Sequence, residues 1–180
     1  MTYNTIKLIN SFNKINIYNN SIVFCDIDET IMKFNKINKN WWENRLKYYS
    51  KLTNNKELSE ENAYNDWLIY VQQNIPKHTD KIGLLNMLTD IENKNSKIFY
   101  ITARYSDIDD LTYKHFSYLD LDYINNPIYF VGNYPKGKFI KNNFDLDKYN
   151  KIIFIDDNEK NLKDVKKELG NLVDIYQFIY

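Results

Sequence analysis

Asp26, Asp28 and Thr30 stand two residues apart at the end of an apolar run, IVFCDIDETIM at 22–32. In an extended segment residues i, i+2 and i+4 project to the same side. Two carboxylates and a hydroxyl therefore converge at the carboxyl end of what reads as a buried strand. Buried carboxylates are costly unless something cationic pairs with them. A hard divalent ion is the simplest such partner, which makes the triplet a candidate Mg²⁺ and phosphate site. The competing reading is a strand that runs by chance into an Asp-rich turn, since 24 of the 180 residues are acidic.

The rest of the chain supplies the elements that must position such a site. Continuous apolar segments recur at 97–101, ending in Thr102, at 128–132, at 151–157, ending in Asp156 and Asp157, and at 173–180. Helical patterns lie between them, at 80–94, 106–120, 136–143 after Pro135, and 159–169 closed by Gly170. Fully apolar strands alternating with helices predict an α/β fold, a Rossmann-like three-layer α/β/α core around a parallel sheet covered on both faces. In such sheets ligands bind beyond the carboxyl ends of the strands, where Asp26, Thr102 and the Asp156–Asp157 pair all fall. Residues 5–14 carry apolar side chains at helical spacing and predict a short leading helix. Two more amphipathic patterns, 37–53 and 59–74 with Ser59 as an N-cap, lie within 33–79. That segment reads as a small helical cap inserted in a single domain of 1–180.

Four features occur in order: DxDxT after the first strand, a Thr after a second, a Lys near a helix start, and paired Asp after another strand. This order resembles the haloacid dehalogenase superfamily of phosphotransferases over about 20–170. The stretch SFNKINIYNNSIVFCDIDETIM resembles a branch of that superfamily found in bacteria and large DNA viruses. Class B and C acid phosphatases are similar in layout, with a helical, Trp-containing insert before an "IFYxTxR" strand.

The resemblance implies Asp26 as the nucleophile that forms an aspartyl-phosphate. Asp28 is implied as the acid/base that protonates the leaving oxygen and then activates water. Covalent catalysis of this kind splits one difficult transfer into two easier ones. Thr102 is implied to hold a phosphate oxygen, and Thr30 to help fix the loop. Arg104, one of two arginines in the chain, matches an arginine near the substrate in the acid-phosphatase motif, and its fork suits a phosphate; pairing with Asp107 or Asp109 is the alternative. Lys136 and Lys138 compete for the motif lysine that neutralises nucleophile and phosphate, and the Lys-Gly helix start favours Lys136. Mg²⁺ is the implied cofactor, held by Asp26, the Asp28 carbonyl and Asp157, with Asp156 in support. Asn161 stands where many relatives carry an acid. Asp at 28 favours phosphoryl transfer over dehalogenation.

Composition narrows the partners. Twenty-four basic and 24 acidic residues balance, so neither nonspecific nucleic-acid binding nor a charged membrane surface is expected. No apolar run approaches the roughly 18 residues of a membrane span. The amino terminus lacks a signal-peptide pattern, and the single cysteine, Cys25, reads as a core thiol in a reducing, cytoplasmic compartment. His78 and His115 have no partner at ligand spacing and are expected on surfaces or helices. Trp41, Trp42 and Trp67 are expected to form the cap's own core, with base stacking as the alternative. The expected activity is Mg²⁺-dependent hydrolysis of a phosphorylated small molecule. A nucleotide, nucleic-acid end or phosphoprotein is the alternative substrate, and an inactive binding module the alternative of another class.

Overall fold

The structure, a computed structural model, describes residues 6–180. The chain runs β1 (Lys7–Ile9), β2 (Ser21–Cys25), β3 (Met32–Lys33), α1 (Lys39–Thr53), α2 (Lys56–Gln73), β4 (Lys77–His78) and α3 (Lys81–Asn93). It continues with β5 (Lys97–Thr102), α4 (Asp109–Tyr118), β6 (Ile128–Phe130), α5 (Lys136–Asn143), β7 (Lys151–Asp156), α6 (Glu159–Leu169) and β8 (Val173–Phe178). Six strands form one sheet in the order β1-β8-β7-β2-β5-β6, every neighbouring pair parallel. β2 lies at its centre, between β7 and β5.

Alternation along each strand builds two cores. Val23 and Cys25 of β2 and Ile153 and Ile155 of β7 face one layer, with Leu84, Met87 and Ile91 of α3 and Phe116 of α4. Ile22, Phe24, Ile152 and Phe154 face the other, with Ile140 of α5 and Leu162, Val165 and Leu169 of α6. Helices thus cover both faces, which is the α/β/α arrangement the apolar strands predict, and Cys25 packs within the first layer. Among the described residues no helix is long and apolar enough to cross a membrane.

Between β2 and α3 the chain makes a side excursion. β3 and β4 pair antiparallel, Met32 opposite His78 and Lys33 opposite Lys77, and so bring the two ends of the excursion together. Residues between them carry α1 and α2, whose packing centres on Trp67 and Val71 with Phe34, Ile37 and, from the α4 side, Ile108. Trp41, Trp42 and Tyr64 are partly buried against the same cluster.

Two local expectations are corrected. Residues 6–14 are not a helix: Lys7, Leu8 and Ile9 pair in register with Tyr176, Gln177 and Phe178 of β8, and a 3₁₀ turn follows at Phe12–Lys14; Thr5 lies outside the described residues. The reason is non-local. A ten-residue helix is marginal alone, whereas a strand here satisfies the backbone of β8. Ser59 does not cap α2 either. Asn55 does, accepting from Leu58 N at 3.2 Å, while Ser59 sits buried in the helix and donates to the Asn55 carbonyl at 2.6 Å.

Candidate active site

The site begins where β2 stops. Asp26 N still donates to Ile155 O of β7 at 2.9 Å, and the chain then turns sharply. Ile27 O accepts from the amides of Thr30, Ile31 and Met32, and Glu29 takes a left-handed backbone at φ 61°. This turn folds Thr30 back over the strand end. Its hydroxyl donates to Asp26 Oδ2 at 3.0 Å and accepts from Asp157 N at 3.1 Å. Thr30 therefore fixes the Asp26 rotamer and ties the ends of β2 and β7 together.

Lys136 enters at the first residue of α5. Its ammonium, fully buried, donates to Asp26 Oδ1 and, at 2.8 Å, to Asp156 Oδ2. Gly137 makes that reach possible. A Cβ there would lie 2.8 Å from Asp164 O and 2.9 Å from Val165 Cα, both backbone atoms of α6, so only glycine lets α5 approach closely enough. Gly137 N also donates to Asp164 Oδ2 at 2.7 Å. Lys138, two residues on, is exposed, so of the two candidate lysines only Lys136 reaches the carboxylates.

The paired aspartates at the end of β7 divide their tasks. Asp156 is fully buried and satisfied within the protein. Besides Lys136 it accepts from Asn158 N at 2.8 Å and from the Asn161 amide at both oxygens. The Asp157 carboxylate has no hydrogen-bond or ion-pair partner among the described residues, although ligand oxygens of Asp26, Asp156 and Asp157 all lie within 4.8 Å of one another. Burial, then the charges of Asp26, Asp156 and Glu29, raise the Asp157 carboxyl above its ordinary range. Burial likewise raises Asp26, against the pull of Lys136. On Lys136 burial works downward, but Asp156 and Asp26 overcome it and raise the ammonium. Of the three carboxylates Lys136 pairs with two, Asp26 and Asp156, and a hard divalent cation fits the shortfall at the third, since its preferred ligands are a few carboxylate oxygens.

Asp28 projects from the same turn and is met by Arg104, two residues beyond β5. Nε donates to Asp28 Oδ2 at 2.8 Å and Nη2 to Oδ1 at 2.7 Å. Nη1 donates to Thr112 Oγ1 at 3.1 Å and to His115 Nδ1 at 3.0 Å, and Nη2 also reaches Met32 Sδ at 3.6 Å. The Trp67 ring lies 5.4 Å from the guanidinium carbon. The expectation of a phosphate-binding Arg104 meets a difficulty here. A guanidinium has five N–H donors, and all five point at protein atoms. Neither Asp107 nor Asp109 is its ion-pair partner; Asp28 is. Thr102, the last residue of β5, is buried and accepts from Arg104 N at 3.1 Å.

His115 was not legible as a site residue. It does lie on a helix, as expected, but is 1% exposed. Its partners fix its state. Arg104 can only donate, so Nδ1 accepts; Val71 O, 3.1 Å from Nε2, can only accept, so Nε2 carries the proton. Burial and then the Arg104 charge lower its pKa to about 4. The available signal was faint: Thr112 and His115 stand three apart on α4, just downstream of a scarce arginine. His78 lies elsewhere, its Nε2 3.0 Å from Leu119 O.

The fold built around these residues is a Rossmann-like α/β/α core whose six-stranded parallel sheet carries the cluster at its carboxyl edge. It aligns with the "Crystal structure of putative beta-phosphoglucomutase from Thermotoga maritima" at a TM-score of 0.53 and 12% identity, covering 89% of this chain and 86% of that one. At that identity the likeness is one of fold alone. It aligns also with the HAD domain of effector protein Lem4 from Legionella pneumophila, at a TM-score of 0.45 and 17% identity over 90% and 86% of the two chains. No curated protein matches. The chain belongs to the family described as "Protein of unknown function (DUF2608)", which it matches over residues 4–128 and 123–180.

Proposed function

We propose that this protein is a Mg²⁺-dependent phosphomonoester hydrolase that works through an aspartyl-phosphate on Asp26, acting on a phosphorylated small molecule. The observation that carries the reading is the pairing of a fixed nucleophile with an unsatisfied ligand. Asp26 is oriented by Thr30 and Lys136 at one strand end, beside an Asp157 carboxylate that has no hydrogen-bond or ion-pair partner among the described residues. Asp26, Asp157 and the Asp28 carbonyl would hold the ion, with Asp156 behind them. A bound Mg²⁺ supplies charge neutralisation for the phosphoryl oxygens.

The residues divide the chemistry in two. In the first step an Asp26 oxygen attacks phosphorus, the ester P–O bond breaks, and the leaving oxygen takes a proton from Asp28. In the second, water gives Asp28 a proton and attacks phosphorus, the bond to Asp26 breaks, and inorganic phosphate departs. Asp28 serves both steps because a carboxyl that has given a proton is a base. Lys136 keeps one positive charge on the nucleophile throughout, lowering repulsion between Asp26 and an incoming phosphate. Thr102, at the neighbouring strand end, is the proposed donor to a phosphate oxygen.

The α1–α2 excursion is the proposed lid that selects substrates. Its cluster reaches the site side, since Trp67 of α2 lies over Arg104. Arg45 is not a free recognition residue, because Asp66 pairs with it at 3.3 Å.

The test is direct. Purified protein should release phosphate from 4-nitrophenyl phosphate in Mg²⁺, stop in EDTA and recover on added metal. Asp28→Asn should slow the second step enough to trap an adduct of about 80 daltons on the Asp26 peptide. Turnover without metal, or an adduct on another residue, refutes the mechanism.

A further inference from the structure

We propose that Arg104 is a positioning residue for Asp28, and that His115 of α4 holds it in place, anchored to Val71 O of the α1–α2 excursion. This rests on the phosphatase reading of Asp26 and Asp28 and names a role that reading leaves open. Four elements meet at the guanidinium. The turn after β2 brings Asp28, the end of β5 brings Arg104, α4 brings Thr112 and His115, and α2 brings Trp67 and the Val71 carbonyl.

The chemistry of the guanidinium decides the role. A buried arginine must satisfy all its donors or forfeit their solvation. Its fork matches a carboxylate in two parallel bonds, here 2.8 and 2.7 Å to the two Asp28 oxygens. Two N–H bonds hold the Asp28 carboxylate plane where one would let it swing. Each oxygen keeps a second lone pair for proton transfer, and the Asp28 side chain stays 29% exposed while that of Arg104 is 1% exposed. The acid/base group thus faces the open side and its clamp lies behind it.

The clamp is itself clamped. Thr112 donates its hydroxyl hydrogen bond to Ile108 O at 3.0 Å, so its oxygen is left to accept from Nη1. His115 accepts from Nη1 and donates to Val71 O. Val71 is fully buried in the α2 cluster, so the path Val71–His115–Arg104–Asp28 runs unbroken from the excursion to the proposed acid/base. Correct docking of α2 and correct aim of Asp28 become one condition. A phosphate ligand, by contrast, would need N–H groups directed at the site, and this guanidinium has none to spare.

Steady-state hydrolysis of 4-nitrophenyl phosphate, together with calorimetric binding of inorganic phosphate in Mg²⁺, tests this. Arg104→Lys keeps the charge and loses the fork. Its kcat should fall about 100-fold, at the low end of what an acid/base group contributes, with the Kd for inorganic phosphate unchanged within about threefold. His115→Asn leaves the Arg104–Asp28 pair in place but removes its anchor, and its kcat should fall about tenfold at unchanged phosphate affinity. In an Asp28→Asn background, Arg104→Lys should change kcat by less than about threefold, since residues acting as one unit are not additive. A tenfold or greater loss of phosphate affinity in Arg104→Lys makes Arg104 a phosphate ligand and overturns the proposal. So do multiplicative losses in the double variant, or wild-type kcat in His115→Asn. An inactive wild type, or an active Asp26→Asn, defeats the phosphatase reading instead and is told apart by the parent enzymes alone.

Discussion

Asn161 donates its side-chain amide to both oxygens of Asp156, at 3.2 and 3.0 Å. An acid at this position would set a like charge against a carboxylate that already lies near two others. The amide instead completes the shell of Asp156, leaving Asp157 as the carboxylate with capacity to spare. Asn161 thereby joins Lys136 and Asn158 N in satisfying Asp156 and leaving Asp157 as the member of the pair without a partner among the described residues.

Asn161→Ala should cost about 1–2 kcal/mol, as expected for a buried charged acceptor that loses one of its donors. Asn161→Asp should cost more, because it adds repulsion as well. Urea unfolding of the three proteins orders them, and an Asp variant as stable as wild type contradicts the account.

Lys136→Met leaves Asp26 and Asp156 buried with no cation. Breaking a buried pair in this way typically costs about 3–5 kcal/mol, enough to threaten the fold of a domain this size. Lys138→Met, on the exposed side of the same helix, should stay within about 0.5 kcal/mol of wild type. Denaturant midpoints measured side by side check the contrast.

Millimolar Mg²⁺ should raise the melting temperature, since a ligand that binds only the folded chain stabilises it by mass action. In Asp157→Asn the shift should vanish. The same variant without metal should melt at or above the wild-type temperature, because it removes a half-buried carboxylate that lies near two others and has no partner among the described residues. Differential scanning with and without EDTA reads both effects.

His115 adds a pH dependence of definite sign. Its pKa falls from 6.5 to about 4 on folding, so between those values the unfolded chain binds a proton that the folded chain refuses. The contribution is fully present above 6.5 and is lost as pH falls toward 4, amounting to about 3 kcal/mol. The stability of wild type minus that of His115→Gln should therefore shrink by about that amount from pH 7 to pH 4. A pH-independent difference would place the imidazole in contact with solvent.

The parallel sheet and the polar residues along its carboxyl edge were legible because their signals are local. An apolar run too short for a helix and bounded by polar residues reads as a buried strand, as IVFC, KIFYIT and KIIFID do, and alternation then fixes which side chains share a face. DxDxT, Thr102 and Asp156–Asp157 sit at strand ends for that reason. The pattern at 5–14 misled because a few apolar residues fit either period, and the register with Tyr176–Phe178 comes from a strand more than 160 positions away.

What the sequence determined by itself was the order of β2, β5, β6, β7 and β8 along the chain and the residues at the carboxyl ends of β2, β5 and β7. Only the tertiary structure decided the partners. Lys136 over Lys138 follows from how closely α5 approaches α6 at Gly137. Asp157 over Asp156 follows from what Asn161, Asn158 and Lys136 already satisfy. Arg104 toward Asp28 follows from His115 and Thr112 arriving on a separate helix. Residue type sets which bonds a side chain can make, but the choice among them is made when several groups lose water together, and which groups those are is a property of the packed fold.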